Sequence, residues 1–411
     1  MAGPDIPPGF DPCDPAIYTT RVPDEEFAEL RRAAPVWWVE QRRGSAGFDD
    51  DGYWAVTRHD DIQAVSRNPG DFSSWENTAI VRFHEGIPRE SIEMQRFVLL
   101  NIDPPQHTKL RGIVSRGFTP RAIGNMRDVI AERADRIVRG ALERESGNFV
   151  TEVAAELPLQ AIADLLGVPQ DDRGKIFEWS NRMISYDDKK PGDVDEDGAE
   201  AAFEILGYSL TMAEDRRGCP RDDIVTKLIN AEIDGHALDD DEFGFFVLML
   251  AVAGNETTRN AIAHGMQAFF DHPEQWERFK AERPATAADE IVRWATPITV
   301  FQRTATRDTS LGGQDIKQGD RLGLFYRAAN FDESVFTDPD TFNITRDPNP
   351  HLGFGGYGTH YCLGASLAKL EIETMFNTIA DLMPDIRRLG DPVRLRSGWI
   401  NGIKELPVSY R

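Results

Sequence analysis

His351–Gly364 reads HLGFGGYGTHYCLG, five glycines around a single thiol. The stretch after it carries Leu363, Leu367, Leu370, Phe376 and Ile379 at helical spacings and must end before Pro384, so a final helix is expected to start at Cys362. At such a start, backbone N–H groups without intrahelical partners and the positive end of the helix dipole favour a thiolate over a thiol. Gly355, Gly356, Gly358 and Gly364 permit tight turns and close backbone approach, and are expected to clear room for a large planar ligand against the sulfur.

An axial thiolate on haem iron satisfies this pattern. Three other readings compete with it. Gly353, Gly355 and Gly358 match the dinucleotide fingerprint G-x-G-x-x-G, but that motif follows a hydrophobic strand, and Asp347-Pro348-Asn349-Pro350-His351 cannot pair in a central strand. Zinc would need a second ligand pair besides His360 and Cys362. A structural buried cysteine is the bland alternative.

Composition bounds the class. The chain has 411 residues, 40% hydrophobic and 28% charged, with 8 Trp and 23 Phe, which excludes general disorder. A net charge of −23 argues against nucleic acid or anionic lipid as partner. Cys13, Cys219 and Cys362 are too few for a disulfide framework and suit a reducing cytoplasm. The N-terminus, MAGPDIPPGFDP, resembles neither a signal peptide nor an anchor, and the apolar run Phe245 to Ala253 is far short of the roughly 20 residues a bilayer requires.

The organisation expected is one domain over residues 1–411. It has a β-rich N-terminal part at about 36–80, a helical bulk at about 100–300, and the glycine loop with the final helix at about 346–384. Tyr53–Thr57 and Arg321–Tyr326 read as strands. Ser185–Glu200, charged and aperiodic, reads as a solvent loop between helices, or as the hinge of a lid. A long helix opens near Asp239 with an acidic first turn; running to about Phe270 it would span some 48 Å. Ala253-Gly254-Asn255-Glu256-Thr257-Thr258 interrupts its apolar run. Glycine there costs about 1 kcal/mol relative to alanine, and a threonine hydroxyl bonding back one turn distorts a helix. Such local conflict marks a functional site.

Phe354–Gly364 resembles the haem-binding loop of the cytochrome P-450 superfamily, F-G-x-G-x-H-x-C-x-G, with one extra glycine, so that Phe354 lies eight residues before Cys362. The resemblance implies a mainly α fold with a smaller β part and a long central helix over a buried haem b (iron protoporphyrin IX). It implies Cys362 as the iron ligand, with Phe354 and Gly364 shaping the cofactor site. Glu256 and Thr257 become the acid and alcohol that deliver protons during oxygen activation. His107, Arg111, Arg303 and His360 become partners of the haem propionates, which need cations or donors when buried. Glu290 and Arg293, an i, i+3 pair of little meaning alone, match E-x-x-R and, with Arg346, imply a structural ion network that fixes the Cys362 loop.

The segments FVLLNIDPPQHTKLRGIVSRGFTPRAIG, DDEFGFFVLMLAVAGNETTRN, ADEIVRWATPITVFQRTA and LRSGWINGIK look like actinobacterial P-450 enzymes of sterol side-chain degradation. That likeness implies hydroxylation of the terminal side-chain carbon (C-26/C-27) of cholesterol or cholest-4-en-3-one. Ile80, Val81, Val98, Val252, Ala253, Val300 and Trp399 are the expected walls of an apolar substrate pocket. Electrons are expected from a ferredoxin and its NAD(P)H reductase, docking near Lys369 or Arg111. Alternatives are a P-450 acting on a fatty acid, terpene or macrolide, a peroxide-driven peroxygenase, and a non-catalytic haem sensor or steroid-binding protein. No G-x-S-x-G elbow supports a hydrolase.

Overall fold

Strands drawn from both ends of the chain meet in one sheet. The computed structural model describes residues 3–184, 196–221, 223–230, 232–233 and 236–411. The strands are β1 (Val36–Glu40), β2 (Gly52–Val56), β3 (Phe72–Ser73), β4 (Val300–Ala305) and β5 (Arg321–Phe325), in the order β1-β2-β5-β4-β3. β5 runs parallel to β2, with Leu322 opposite Trp54, and antiparallel to β4, with Leu322 opposite Arg303. Successive side chains on a strand face opposite ways. In β4 this sends Val300 into a cluster with Val39, Tyr53, Val81 and Phe325, while Phe301 and Arg303 face the interior of the molecule's cavity. The first expected strand is displaced by one residue, to Gly52–Val56, and the second ends at Phe325 because Tyr326 begins a short helix.

Among the described residues the cavity is lined by α1 (His59–Ser66), α2 (Gln106–Val114), α4 (Glu156–Leu166), α5 (Arg173–Ile184), α6 (Glu196–Gly218), α7 (Asp240–Asp271), α8 (Ala287–Ala295) and α9 (Ala365–Leu382), with α3 (Arg127–Leu142) packed against α9. α7 is 32 residues long, about 48 Å at 1.5 Å per residue. Its start is fixed by a capping box: Asp239 accepts from the Glu242 N–H at 2.8 Å, and the Glu242 side chain accepts from the Asp239 N–H at 3.2 Å. It is apolar on most sides because α4, α5, α6, α8 and α9 all pack against it. Of the expected loop Ser185–Glu200, residues 185–195 lie outside the described residues, and Glu196 already opens α6. Among the described residues no helix is long and apolar enough to cross a membrane.

The final helix starts at Ala365, three residues later than expected. The Cys362 N–H donates to Phe354 O at 2.9 Å, which turns Cys362 back into the glycine loop and leaves Gly364 as the helix N-cap.

Candidate active site

Backbone bonds build the loop that presents Cys362. Gly355 N–H donates to Leu352 O at 2.9 Å and Tyr361 N–H to Gly358 O at 3.0 Å. Gly355 has φ +99°, a conformation side chains disfavour. Gly356 and Gly358 line the cavity and are needed for a further reason. A Cβ on Gly356 would stand 2.2 Å from Ser66 Oγ, and one on Gly358 would stand 1.8 Å from Ser66 O, so both glycines let the end of α1 lie against the loop. Gly364 is open on the cavity side, where the nearest atom to an added Cβ is Cys362 Sγ at 4.0 Å. Gly358→Ala therefore must move backbone and is expected to destabilise by about 1–3 kcal/mol or more, read as a lowered urea midpoint, whereas Gly364→Ala leaves that midpoint within about 1 kcal/mol of the parent.

Cys362 is exposed to a cavity of about 820 Å³. The N–H groups of Gly364 and Ala365 and the Arg111 guanidinium pull its thiol pKa down, as expected of a helix start, but burial outweighs them and pushes it up. The surrounding protein by itself does not make this sulfur an anion.

Four basic side chains meet above the same loop. His107 and Arg111 come from α2, Arg303 from β4 and His360 from the loop, and all four line the cavity. The His107 and His360 rings lie 4.3 Å apart, and His360 Nε2 is 3.2 Å from Ser74 Oγ. Burial, reinforced by the two neighbouring guanidiniums, lowers His107 to about 4 and holds His360 well below the usual histidine range. Both rings are neutral at neutral pH, while the arginines keep their charge. Arg111 donates to Tyr361 O and Arg303 to Gln302 O at 2.6 Å; among the described residues neither meets a carboxylate. Arg111 faces the cavity, while Lys369 is partly exposed and paired with Asp289 at 2.6 Å.

α7 supplies another wall. Thr257 Oγ1 donates to Ala253 O at 2.7 Å, yet the helix continues unbroken. Gly254 has a packing reason as well, since a Cβ there would stand 2.3 Å from Ile162 Cδ1 on α4. Glu256 is 1% exposed. Its Oε2 accepts from Arg259, which also donates to Asn181 Oδ1 on α5 at 2.9 Å, while Oε1 has no partner among the described residues. Burial raises the Glu256 pKa against the pull of Arg259.

Of the expected apolar walls, Ile80, Val98, Val252, Ala253 and Trp399 line the cavity. Val81 and Val300 do not. Each is the neighbour of a lining residue, Ile80 and Phe301, and points into the cluster on the other side. Phe354 and Gly364 line the cavity beside Cys362. Glu290, Arg293 and Arg346 meet behind the loop, with Arg293 Nε at 2.8 Å and Arg346 Nε at 3.1 Å from Glu290 Oε2. The sequence reading missed Phe203 and Met94, exposed residues that mark the cavity mouth, and Glu371 on α9. An acid among Leu367, Leu370 and Ile372 was the available signal for the last.

A profile of the family described as Cytochrome P450 matches residues 208–380. Over all 411 residues the chain is 61% identical to a protein of Rhodococcus jostii (strain RHA1) named steroid C26-monooxygenase, covering 87% of it. It is 59% identical to a protein of the same name from Mycobacterium tuberculosis (strain ATCC 25618 / H37Rv), covering 94% of that one. Among solved structures, a Mycobacterium marinum cytochrome P450 in complex with pseudoionone superposes with TM-score 0.90 at 36% identity, over 98% of this chain and 100% of the other. The chain belongs to the cytochrome P450 family, and its cofactor is haem b. The residues present fit that group: a cavity-facing sulfur, an open glycine face beside it, and the guanidiniums of buried Arg303 and half-buried Arg111, without carboxylate partners among the described residues and suited to two carboxylates.

Proposed function

We propose that the protein is a haem-thiolate monooxygenase that hydroxylates the terminal side-chain carbon of a steroid of the cholesterol or cholest-4-en-3-one type. The observation that supports it is the sharing of one largely apolar cavity by Cys362 and the Glu256–Thr257 pair, in a chain similar over its whole length to steroid C26-monooxygenases. Residues 1–411 act as a single unit.

Haem supplies the oxygen chemistry that no side chain possesses. Cys362 would hold the iron through its sulfur. Arg111 and Arg303 hold the two propionates by charge, and neutral His107 and His360 donate hydrogen bonds to them. Phe354 and Gly364 shape the floor. Thr257 gives up its bond to Ala253 O to orient a proton donor, and Glu256, with Oε1 unpartnered, relays protons. Ile80, Val98, Val252, Ala253 and Trp399 enclose the chain end of the substrate and exclude water. A terminal methyl has a stronger C–H bond than the adjacent tertiary carbon, so selectivity rests on positioning. Glu290, Arg293 and Arg346 fix the loop. Electrons come from a ferredoxin served by an NAD(P)H reductase in the cytoplasm.

Titrating the holoenzyme with sterols, fatty acids and terpenes, followed by product identification with reductase and ferredoxin, tests the reading. Tight binding confined to sterols and a terminal alcohol are expected. Tight binding only to fatty acids would refute the substrate; turnover with peroxide but none with ferredoxin would refute the electron route. Thr257→Ala is expected to keep substrate affinity while diverting reducing equivalents to hydrogen peroxide, and Glu256→Gln to slow product formation by about 10²-fold. Unchanged coupling in both variants would remove these residues from the proton path.

A further inference from the structure

Glu371 has no use in the chemistry above, yet it is 1% exposed and lines the same cavity. Neither of its oxygens has a hydrogen-bond partner among the described residues, and Oε2 is sealed from solvent. Gly364, Leu367, Ala368, Glu371 and Ile372 all line the cavity at i, i+3, i+4, i+7 and i+8 spacing. Glu371 therefore stands on the face of α9 that continues the Cys362 loop, about 10 Å along the helix from Gly364.

Charged groups on α3, α7, α8 and α9 are occupied elsewhere. On α9 itself Lys369 is bound to Asp289 of α8, and Glu373 lies 3.7 Å from Arg127 of α3. Glu290 and Arg293 of α8 close on each other, and Glu256 of α7 on Arg259. Arg111 and Arg303 keep their charge, and His107 and His360 are already neutral above about pH 6. A carboxyl buried without cation or donor favours its neutral form, and burial lifts this one to about 8.

We propose that Glu371 is the proton acceptor that accompanies one-electron reduction of the Cys362 site. Where Glu371 is ionised in the oxidised site, near and above about pH 8, uptake of one electron from an external donor is accompanied by transfer of one proton from solvent to its carboxylate, forming a new O–H bond, and the net charge of the region is unchanged. This rests on the haem-thiolate reading. The sign follows from repulsion: an ionised Glu371 disfavours adding an electron, so the reduced state binds the proton more tightly, and the potential falls as pH rises through the carboxyl's range. Glu371 touches no reacting atom and acts through its charge.

Spectroelectrochemical titration of the substrate-free holoenzyme from pH 6 to 9.5 tests this, with dithionite as reductant, in wild type and Glu371→Gln. The wild-type midpoint is expected to drop across the range by an equilibrium factor of about tenfold, 59 mV for one electron, and E371Q to stay flat. Equal slopes in the two proteins, or a flat wild type, overturn the proposal. If E371Q does not retain haem, infrared spectra of the wild type decide: a protonated carboxyl C=O band at pH 6.5 that is lost by pH 9.5 supports it, and no such band overturns it. Failure of the haem-thiolate reading is separately visible, as the absence of a red-shifted Soret band in the reduced carbon monoxide adduct.

Discussion

Cys362→Ala is expected to yield a folded protein that gives no red-shifted Soret band with carbon monoxide after reduction, and whose product formation falls by more than about 100-fold. Loss of a partner one shell away from a metal already costs about 10–100-fold, and here the ligand itself is removed. The fold should survive because the loop is closed by main-chain atoms: the Cys362 N–H to Phe354 O bond and the Tyr361 N–H to Gly358 O bond involve no side chain. What the variant loses is the sulfur that the Gly364 and Ala365 N–H groups and Arg111 face. Circular dichroism and urea unfolding separate the two cases. A variant that is fully active, or that keeps the red-shifted band, would show that another group holds the iron.

Cys362 was legible because its chemistry is written in neighbouring positions: glycines, a thiol and the periodic leucines of a helix. Of the site residues that lie far apart in sequence, Glu256 stood out locally in its polar break of an apolar helix, whereas His107, Arg111 and Arg303 became legible only through motif resemblance, since nothing local says that α2, β4 and α7 share one cavity. Side of burial was the weak point. Val81 and Val300 are as apolar as Ile80 and Phe301; strand pairing opposite Phe325 settles the side of Val300, and packing of an irregular segment into the Tyr53 cluster settles that of Val81. A second purpose of Gly356 and Gly358 was hidden for a similar reason: the atoms that exclude a side chain there, Ser66 Oγ and Ser66 O, belong to a helix some 290 residues earlier in the chain. The late start of the final helix reflects a backbone bond between Cys362 and Phe354 that no propensity encodes.

Glu290→Gln is expected to be the most destabilising single substitution away from the cavity. Glu290 and Arg293 are both fully buried. The carboxylate accepts from Arg293 Nε and Nη2 at 2.8 and 2.9 Å, from Arg346 Nε and Asn349 Nδ2 at 3.1 Å, and from the Asn343 N–H at 2.9 Å. The two guanidiniums spend their remaining donors on carbonyls of the loop before Cys362: Arg293 on Asn330, Pro339 and Thr341, Arg346 on Thr337, Asp338 and Thr341. An amide in place of the carboxylate leaves two buried cations with no anion and turns one acceptor into a donor facing them. Breaking a buried pair from one side costs about 3–5 kcal/mol, against a total stability of about 5–15 kcal/mol for a typical domain. Haem retention should fail before global unfolding, because Asn349 and Arg346 lie immediately ahead of His351 and the glycine loop. The exposed pair Arg139–Asp135, also 2.8 Å long, is the control: Asp135→Asn should shift the urea midpoint by no more than about 1 kcal/mol. If E290Q proved as mild as D135N, the carbonyls already bound by Arg293 and Arg346 would be sufficient to hold the loop, and the carboxylate's burial would have no structural purpose.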